Sequence, residues 1–370
     1  MIRLKKIGIY IHVPFCKSKC YYCDFNSYAG KDEYIEKYVN TVIQELENNN
    51  LEQYEIETVY FGGGTPSVID EKYIEKILKS IDISKAIEVT IEVNPATATL
   101  EKLKKYKDIG INRVSIGLQS TCDMLLQKIG RVHKYIDFKN TYNDARTVGF
   151  KNISFDLMLG LPNQTIEILE KSLNEAVKYK PEHISIYSFI LEEGTKFYQM
   201  YENNKLELLS EELDRKMYWI AKNFLQNNGY EHYEVSNFAI NKQHRAKYNT
   251  NCWKQHEYIG IGAGAHSFVD DKRYRNSEKI EEYINNNKIT IEEELTKEDK
   301  MREYVILSLR MIEGFKLEDF YKSFDIDFLD FFKKEYQKLI DMNLIVNTNN
   351  SIRLTNKGID LANIVWQEFV

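Results

Sequence analysis

From residue 7 to about 192 the chain alternates short runs rich in β-branched and aromatic residues with longer stretches whose apolar residues recur at helical spacing. The short runs are GIYIHVPF, ETVYFGGG, IEVTIEVNP, NRVSIGLQS, NISFDLMLG and HISIYSFIL, and each predicts a strand. Between the first two, DEYIEKYVNTVIQELE puts Tyr34, Ile35, Tyr38, Val39, Val42, Ile43 and Leu46 on one helical stripe. Repeated strand–helix units predict a parallel sheet wound into a partial (β/α)6 TIM-like barrel. A doubly wound sheet is the alternative, because alternation does not fix strand order.

Beyond residue 192 the pattern is mixed: a helix over SEELDRKMYWIAKNFLQNNG, then YEHYEVSNFAI, then the glycine-rich YIGIGAGAHSF. From EYVILSLRMIEGF onward, helical stretches lead to NLIVNTNNSIRLTNKG, two β runs around an Asn-rich turn. Helix, helix, hairpin predicts a small winged-helix-like α+β domain. The division expected is a barrel over 1–200, an extension over 201–298 and the C-terminal domain over 299–370, which would dock over the barrel mouth as a lid.

The length of 370 residues exceeds one typical domain. No apolar run approaches a membrane span, and MIRLKKIGIYIHV lacks a signal-peptide core and cleavage site, so the cytoplasm is the expected compartment. A net charge of -6 argues against a nucleic-acid partner. The acidic, aromatic FYKSFDIDFLDFF also lacks the side chains of a recognition helix.

Special residues cluster near the carboxyl ends of the predicted strands, where loops of a parallel barrel converge. They are Cys16, Gly62 to Thr65, Glu92, Asn94, Gln119 and Asp156. Cys16, Cys20 and Cys23 form C-x3-C-x2-C, while Cys122 and Cys252 stand apart. Such crowding points to metal rather than to a disulfide framework. A structural zinc site wants four ligands, with His12 the nearby substitute for a fourth thiolate. Three thiolates on a 4Fe-4S cluster would instead leave one iron open to a ligand.

The cysteine motif after the first strand resembles the radical S-adenosylmethionine (SAM) superfamily, in which the open iron binds SAM for reductive cleavage to a 5'-deoxyadenosyl radical. YIHVPFC…CYYC, FGGGTPS, IEVNPAT, SIGLQS, GRVH, FDLMLGLPNQT, YEVSNFA and GIGAGAHSF follow the order of the oxygen-independent coproporphyrinogen III oxidase family. LSLRMIEGF with the winged end resembles that family's C-terminal domain. The family's porphyrinogen dehydrogenases resemble one another in a further cysteine two positions after the third and in a longer arm before the first. Here that position is Phe25 and the arm is short, as in the HemW-type heme chaperones.

The resemblance implies a 4Fe-4S cluster on Cys16, Cys20 and Cys23, with SAM held by Tyr10, Tyr22, Gly63, Gly64, Thr65, Glu92, Gln119, Arg131 and Asp156. Carboxylates at 92 and 156 can accept from amino or hydroxyl groups, and Arg131 can clamp a carboxylate. Ile190 and His266 align less closely. The chaperone class associates H-N-x-x-Y-W with heme; the matching stretch reads YNTNCW, with Tyr248 for the histidine and Cys252 for the tyrosine, while Asn249 and Trp253 remain. Tyrosine and cysteine both ligate heme iron. His232, His244 and His256 are the other candidates.

The reading expected first is therefore a heme chaperone holding cluster, SAM and heme, with heme-accepting proteins and an electron donor such as a flavodoxin or ferredoxin as partners. The alternatives are an oxygen-independent coproporphyrinogen III dehydrogenase and a zinc-stabilised winged-helix binding protein.

Overall fold

A computed structural model describes residues 4–370. The predicted strands form β1 (Lys5–Val13), β2 (Tyr54–Gly63), β3 (Glu88–Val93), β4 (Arg113–Gln119), β5 (Ile153–Leu159) and β6 (His183–Ser188). Short strands follow: β7 (Glu231–Glu234), β8 (Asn237–Ala239), β9 (Tyr258–Ile261), β10 (His266–Val269), β11 (Lys272–Arg275) and β12 (Thr290–Glu294). All twelve join one sheet in the order β12-β11-β10-β9-β1-β2-β3-β4-β5-β6-β8-β7. From β1 to β6 the spatial order is the chain order, with no reversal. The sheet is therefore wound in one sense as a partial barrel, and the doubly wound alternative is excluded.

One parallel strand escaped the sequence reading. β9 lies in the glycine-rich stretch and pairs parallel with β1, Tyr10 opposite Gly260. That glycine is required, because a Cβ there would stand 2.0 Å from the carbonyl oxygen of His266.

Alternation along the strands sorts their side chains. Ile9, Ile11, Val59, Phe61, Val89 and Ile91 are buried in the main core, which includes Tyr38, Val39, Val42 and Leu46 of the helix Ile35–Asn48. The opposite parity carries Tyr10, Tyr60, Glu92, Ser115, Asp156 and Ser185. Cross-strand register aligns Tyr10 with Tyr60, Glu92 with Ser115 and Asp156 with Ser185. One face of the sheet is thus an apolar core and the other a polar interior.

Further on, β13 (Phe315–Lys316), β14 (Ile345–Thr348) and β15 (Ser351–Leu354) form an antiparallel sheet in the order β13-β15-β14. It shares a separate apolar cluster built on Phe315, Phe320, Phe328, Phe332 and Leu339. The C-terminal unit joins the large sheet at β7: Val235 N donates to Arg310 O and Ile312 N to Tyr233 O, both at 3.0 Å. None of its residues lines the central cavity, so the expected lid over the mouth is corrected to a brace along the sheet edge. The acidic aromatic segment supplies Phe320, Phe324, Phe328 and Phe332 to that unit's own core.

Candidate functional site

A cavity of about 520 Å³ opens at the carboxyl ends of the central strands. Cys16, Cys20, Cys23, Tyr22, Gly63, Gly64, Thr65, Glu92, Gln119, Arg131 and Asp156 all line it, together with Tyr60, Asn94, Tyr187, Asn237 and Asn249. Tyr10 does not. Its ring stacks behind Tyr60 at 6.2 Å, and its hydroxyl lies 3.2 Å from His12 Nδ1.

The cysteine loop is held from several sides. Tyr21 N donates to Ile129 O at 3.0 Å, Phe197 N to Tyr21 O at 2.8 Å, and Lys19 Nζ to Phe25 O at 3.0 Å. Cys16 Sγ lies 3.5 Å from Thr65 Oγ1, and Arg131 Nη1 lies 3.8 Å from Cys20 Sγ. Burial raises the thiols of Cys16 and Cys23, the latter to about 11, so metal binding there would release protons.

Among the described residues, no three His, Cys, Asp or Glu side chains are placed to share a single ion. A 4Fe-4S cluster makes a different demand, since each thiolate takes its own iron. His12 cannot complete a zinc tetrahedron while both its nitrogens are engaged. Nε2 lies 2.8 Å from the carbonyl of Asn26 and so carries the proton, leaving Nδ1 to accept from Tyr10. Burial holds this ring neutral, at about 4.

The glycine turn lies against the same loop. Gly64 N donates to Val13 O at 2.9 Å and Thr65 N to Phe15 O at 2.8 Å. Gly63 has φ +105°, and a Cβ there would stand 2.4 Å from the His12 ring. Only glycine brings the turn this close.

Two carboxylates face one guanidinium across the cavity. Glu92 accepts from Tyr60 Oη at 2.8 Å, and burial raises it to about 7. Asp156, also raised by burial, accepts from Ser115 Oγ at 3.2 Å. Arg131 is anchored by donating to Gly117 O at 2.9 Å. Gln119, at a bulge in β4 with φ +61°, accepts from Tyr187 Oη at 2.9 Å. Three thiols, one buried and two half-buried, with two acids and one arginine suit an iron-sulfur cluster beside a ligand carrying both cationic groups and a carboxylate.

The YNTNCW stretch forms the helix Lys247–Trp253, whose first amides, from Lys247 and Tyr248, donate to the buried Glu88. Tyr248 packs against Tyr60 at 5.2 Å and Tyr10 at 6.2 Å, closing the barrel interior from below. Burial raises the Tyr248 phenol and lifts the Cys252 thiol to about 12. Only Asn249 of this helix lines the cavity. His232 stacks on Phe238 at 4.5 Å and His244 bonds Asn241 at 2.9 Å; neither they nor His256 reach the cavity. Ile190 lines the mouth, whereas His266 pairs with Glu292 outside it.

Sequence reasoning missed Tyr60 and Tyr187. Tyr60 shares strand parity with the selected Gly62, so alternation carried its signal; Tyr187 shares parity only with Ser185, which pairs with Asp156 in the folded sheet, so nothing within its own segment pointed to it.

This is the architecture of the radical SAM superfamily, whose family model matches residues 10–176; a HemN C-terminal domain matches residues 295–361. The chain belongs to the family of proteins named heme chaperone HemW. It is 36% identical to the Bacillus subtilis member over 98% of both chains, and 34% identical to that of Lactococcus lactis over 99% of this chain and 98% of that one. The Escherichia coli member is 33% identical over 73% of this chain and 72% of its own. Coproporphyrinogen III oxidase (HemN) from Escherichia coli shares the fold, with TM-score 0.85 and 22% identity over 99% of this chain and 90% of that one.

Proposed function

We propose that the chain is a cytoplasmic heme-handling protein that holds a 4Fe-4S cluster and SAM and delivers heme to acceptor proteins. The observation that carries this reading is the convergence of Cys16, Cys20 and Cys23 on one cavity with Glu92, Asp156 and Arg131. The cluster would take the three thiolates and supply an electron, received from a flavodoxin or ferredoxin, to SAM at its open iron. Glu92 and Asp156 would accept from the amino and ribose hydroxyl groups of SAM, Arg131 would clamp its carboxylate, and the Gly63–Gly64–Thr65 turn, with no Cβ at its first two positions, would let the methionine part approach the backbone closely. Tyr10 would act from behind Tyr60, which itself holds Glu92. The relatives named heme chaperone support heme as the cargo.

A second reading, oxygen-independent coproporphyrinogen III dehydrogenase, draws on the fold shared with HemN. Against it stands Phe25, 65% exposed at the cavity mouth where the dehydrogenases resemble one another in a cysteine. Incubating the anaerobically reconstituted protein with SAM, a reductant and coproporphyrinogen III separates the two. The chaperone reading expects no protoporphyrinogen and a saturable heme titration; turnover to protoporphyrinogen would overturn it.

A further inference from the structure

Arg113 is a charged residue that the reading above leaves without a task. It opens β4 on the polar face of the sheet and is only 2% exposed. Its register partner is Thr90, which lies between Glu88 and Glu92 on the same face of β3. Two residues further along β4, Ser115 donates to Asp156. Among the described residues, no carboxylate lies within ion-pair distance of the guanidinium. Its Nη2 lies 3.4 Å from His183 Nδ1, and its Nε has no partner. His183 is occupied in turn by Ser154 at 2.7 Å and Tyr233 at 2.8 Å.

A buried guanidinium with only neutral hydrogen-bonding partners costs stability unless its field is used. We propose that Arg113 is a positioning residue for the cavity: its buried cation, two residues along β4 from the Ser115 that holds Asp156, favours the charged carboxylate of Asp156, so that the cavity accepts the cationic groups of its ligand. This rests on the SAM reading for the ligand's identity but not for the effect on Asp156.

The surroundings leave Arg113 that role. Glu92 is faced by Tyr60 from β2, by the Gly63 amide and by Asp156 from β5. Asp156 is faced by Ser115 from β4, Ser185 from β6 and Arg131 from the loop beyond β4. Burial drives both acids toward the neutral form, and Arg113 is the largest charge acting against burial at Asp156. His183 supplies no competing charge, since burial and then Arg113 itself push its protonation far down. Arg131 is turned to Gly117 O and Cys20 Sγ. Glu88 is committed to the amides of Lys247 and Tyr248.

The test uses the full-length protein in two arms. In cluster-free protein, the infrared carbonyl band of protonated Asp156, identified by its loss in D156N, is followed against pH in wild type, R113M and R113K. The expected result is a midpoint at least one pH unit higher in R113M, with R113K near wild type. In anaerobically reconstituted protein, SAM affinity of R113M should fall at least tenfold at pH 7 and recover by pH 9. An unmoved Asp156 midpoint in folded R113M, or an affinity loss equal at every pH, overturns the proposal. Failure of wild type to bind SAM at any pH overturns the SAM reading and leaves the infrared arm to decide on Arg113.

Discussion

Arg310 donates through Nη2 to Glu234 at 3.0 Å, tying the C-terminal unit to a carboxylate with no exposed surface. Glu234 also accepts from Ser236 N at 3.0 Å and from the Asn237 amide, and both of these residues line the cavity. The Arg310 guanidinium lies over Trp253 at 4.3 Å and Trp366 at 5.2 Å, leaving its side chain 25% exposed. Arg310→Ala leaves Glu234 as an uncompensated buried charge, and the expected loss is about 3 kcal/mol of stability. Urea unfolding of the two proteins measures it; a loss below about 0.5 kcal/mol, the size of a surface pair, would contradict the buried-pair account.

Glu92 gives a pH dependence whose sign can be derived. Its carboxyl is raised from 4.5 to about 7 in the folded chain, so between those values the native state holds a proton that the unfolded state has released. Stability from this group is therefore present at low pH and declines as pH rises from about 4.5 to about 7. The decline amounts to at most about 3 kcal/mol. Glu92→Gln should flatten that slope in denaturant titrations while weakening SAM binding. An unchanged slope would contradict the assignment.

Gly63→Ala forces a side chain onto a backbone at φ +105° and into the His12 ring. The expected outcome is displacement of the turn from the cysteine loop, read as lost SAM binding with a destabilisation of about 1 to 3 kcal/mol. Wild-type SAM affinity in the variant would mean that the turn does not serve the ligand.

The YNTNCW helix yields a prediction for heme. Tyr248 is committed to a ring stack with Tyr10 and Tyr60, and the Cys252 thiol is pushed to about 12 by burial. Neither is poised as an axial ligand. Y248F and C252S should leave the absorbance titration with heme unchanged, whereas a shifted Soret band in either would restore this stretch as the heme site.

Much of this was legible from local pattern. The six long strands announce themselves by β-branched runs, and Cys16, Cys20 and Cys23 by spacing alone. β9 was hidden because Gly260 and Gly262 erase the apolar signature and its partner β1 lies some 250 residues away. Arg113 was not singled out, since its burial depends on neighbours from β3 and β6. The brace formed by the C-terminal unit depends on contacts at Tyr233, Glu234 and Val235, which no periodicity within either segment specifies.

The central claim is that three thiols of one loop hold a cluster whose open iron faces the Glu92–Asp156–Arg131 cavity. It is tested most directly by electron paramagnetic resonance of the anaerobically reconstituted, reduced protein with and without SAM, alongside iron and sulfide analysis. The account predicts about four irons and four sulfides per chain, a spectrum that changes on adding SAM, and loss of both in C16A, C20A and C23A but not in C122A. One zinc per chain without iron, or iron content unaltered by the three substitutions, would contradict it.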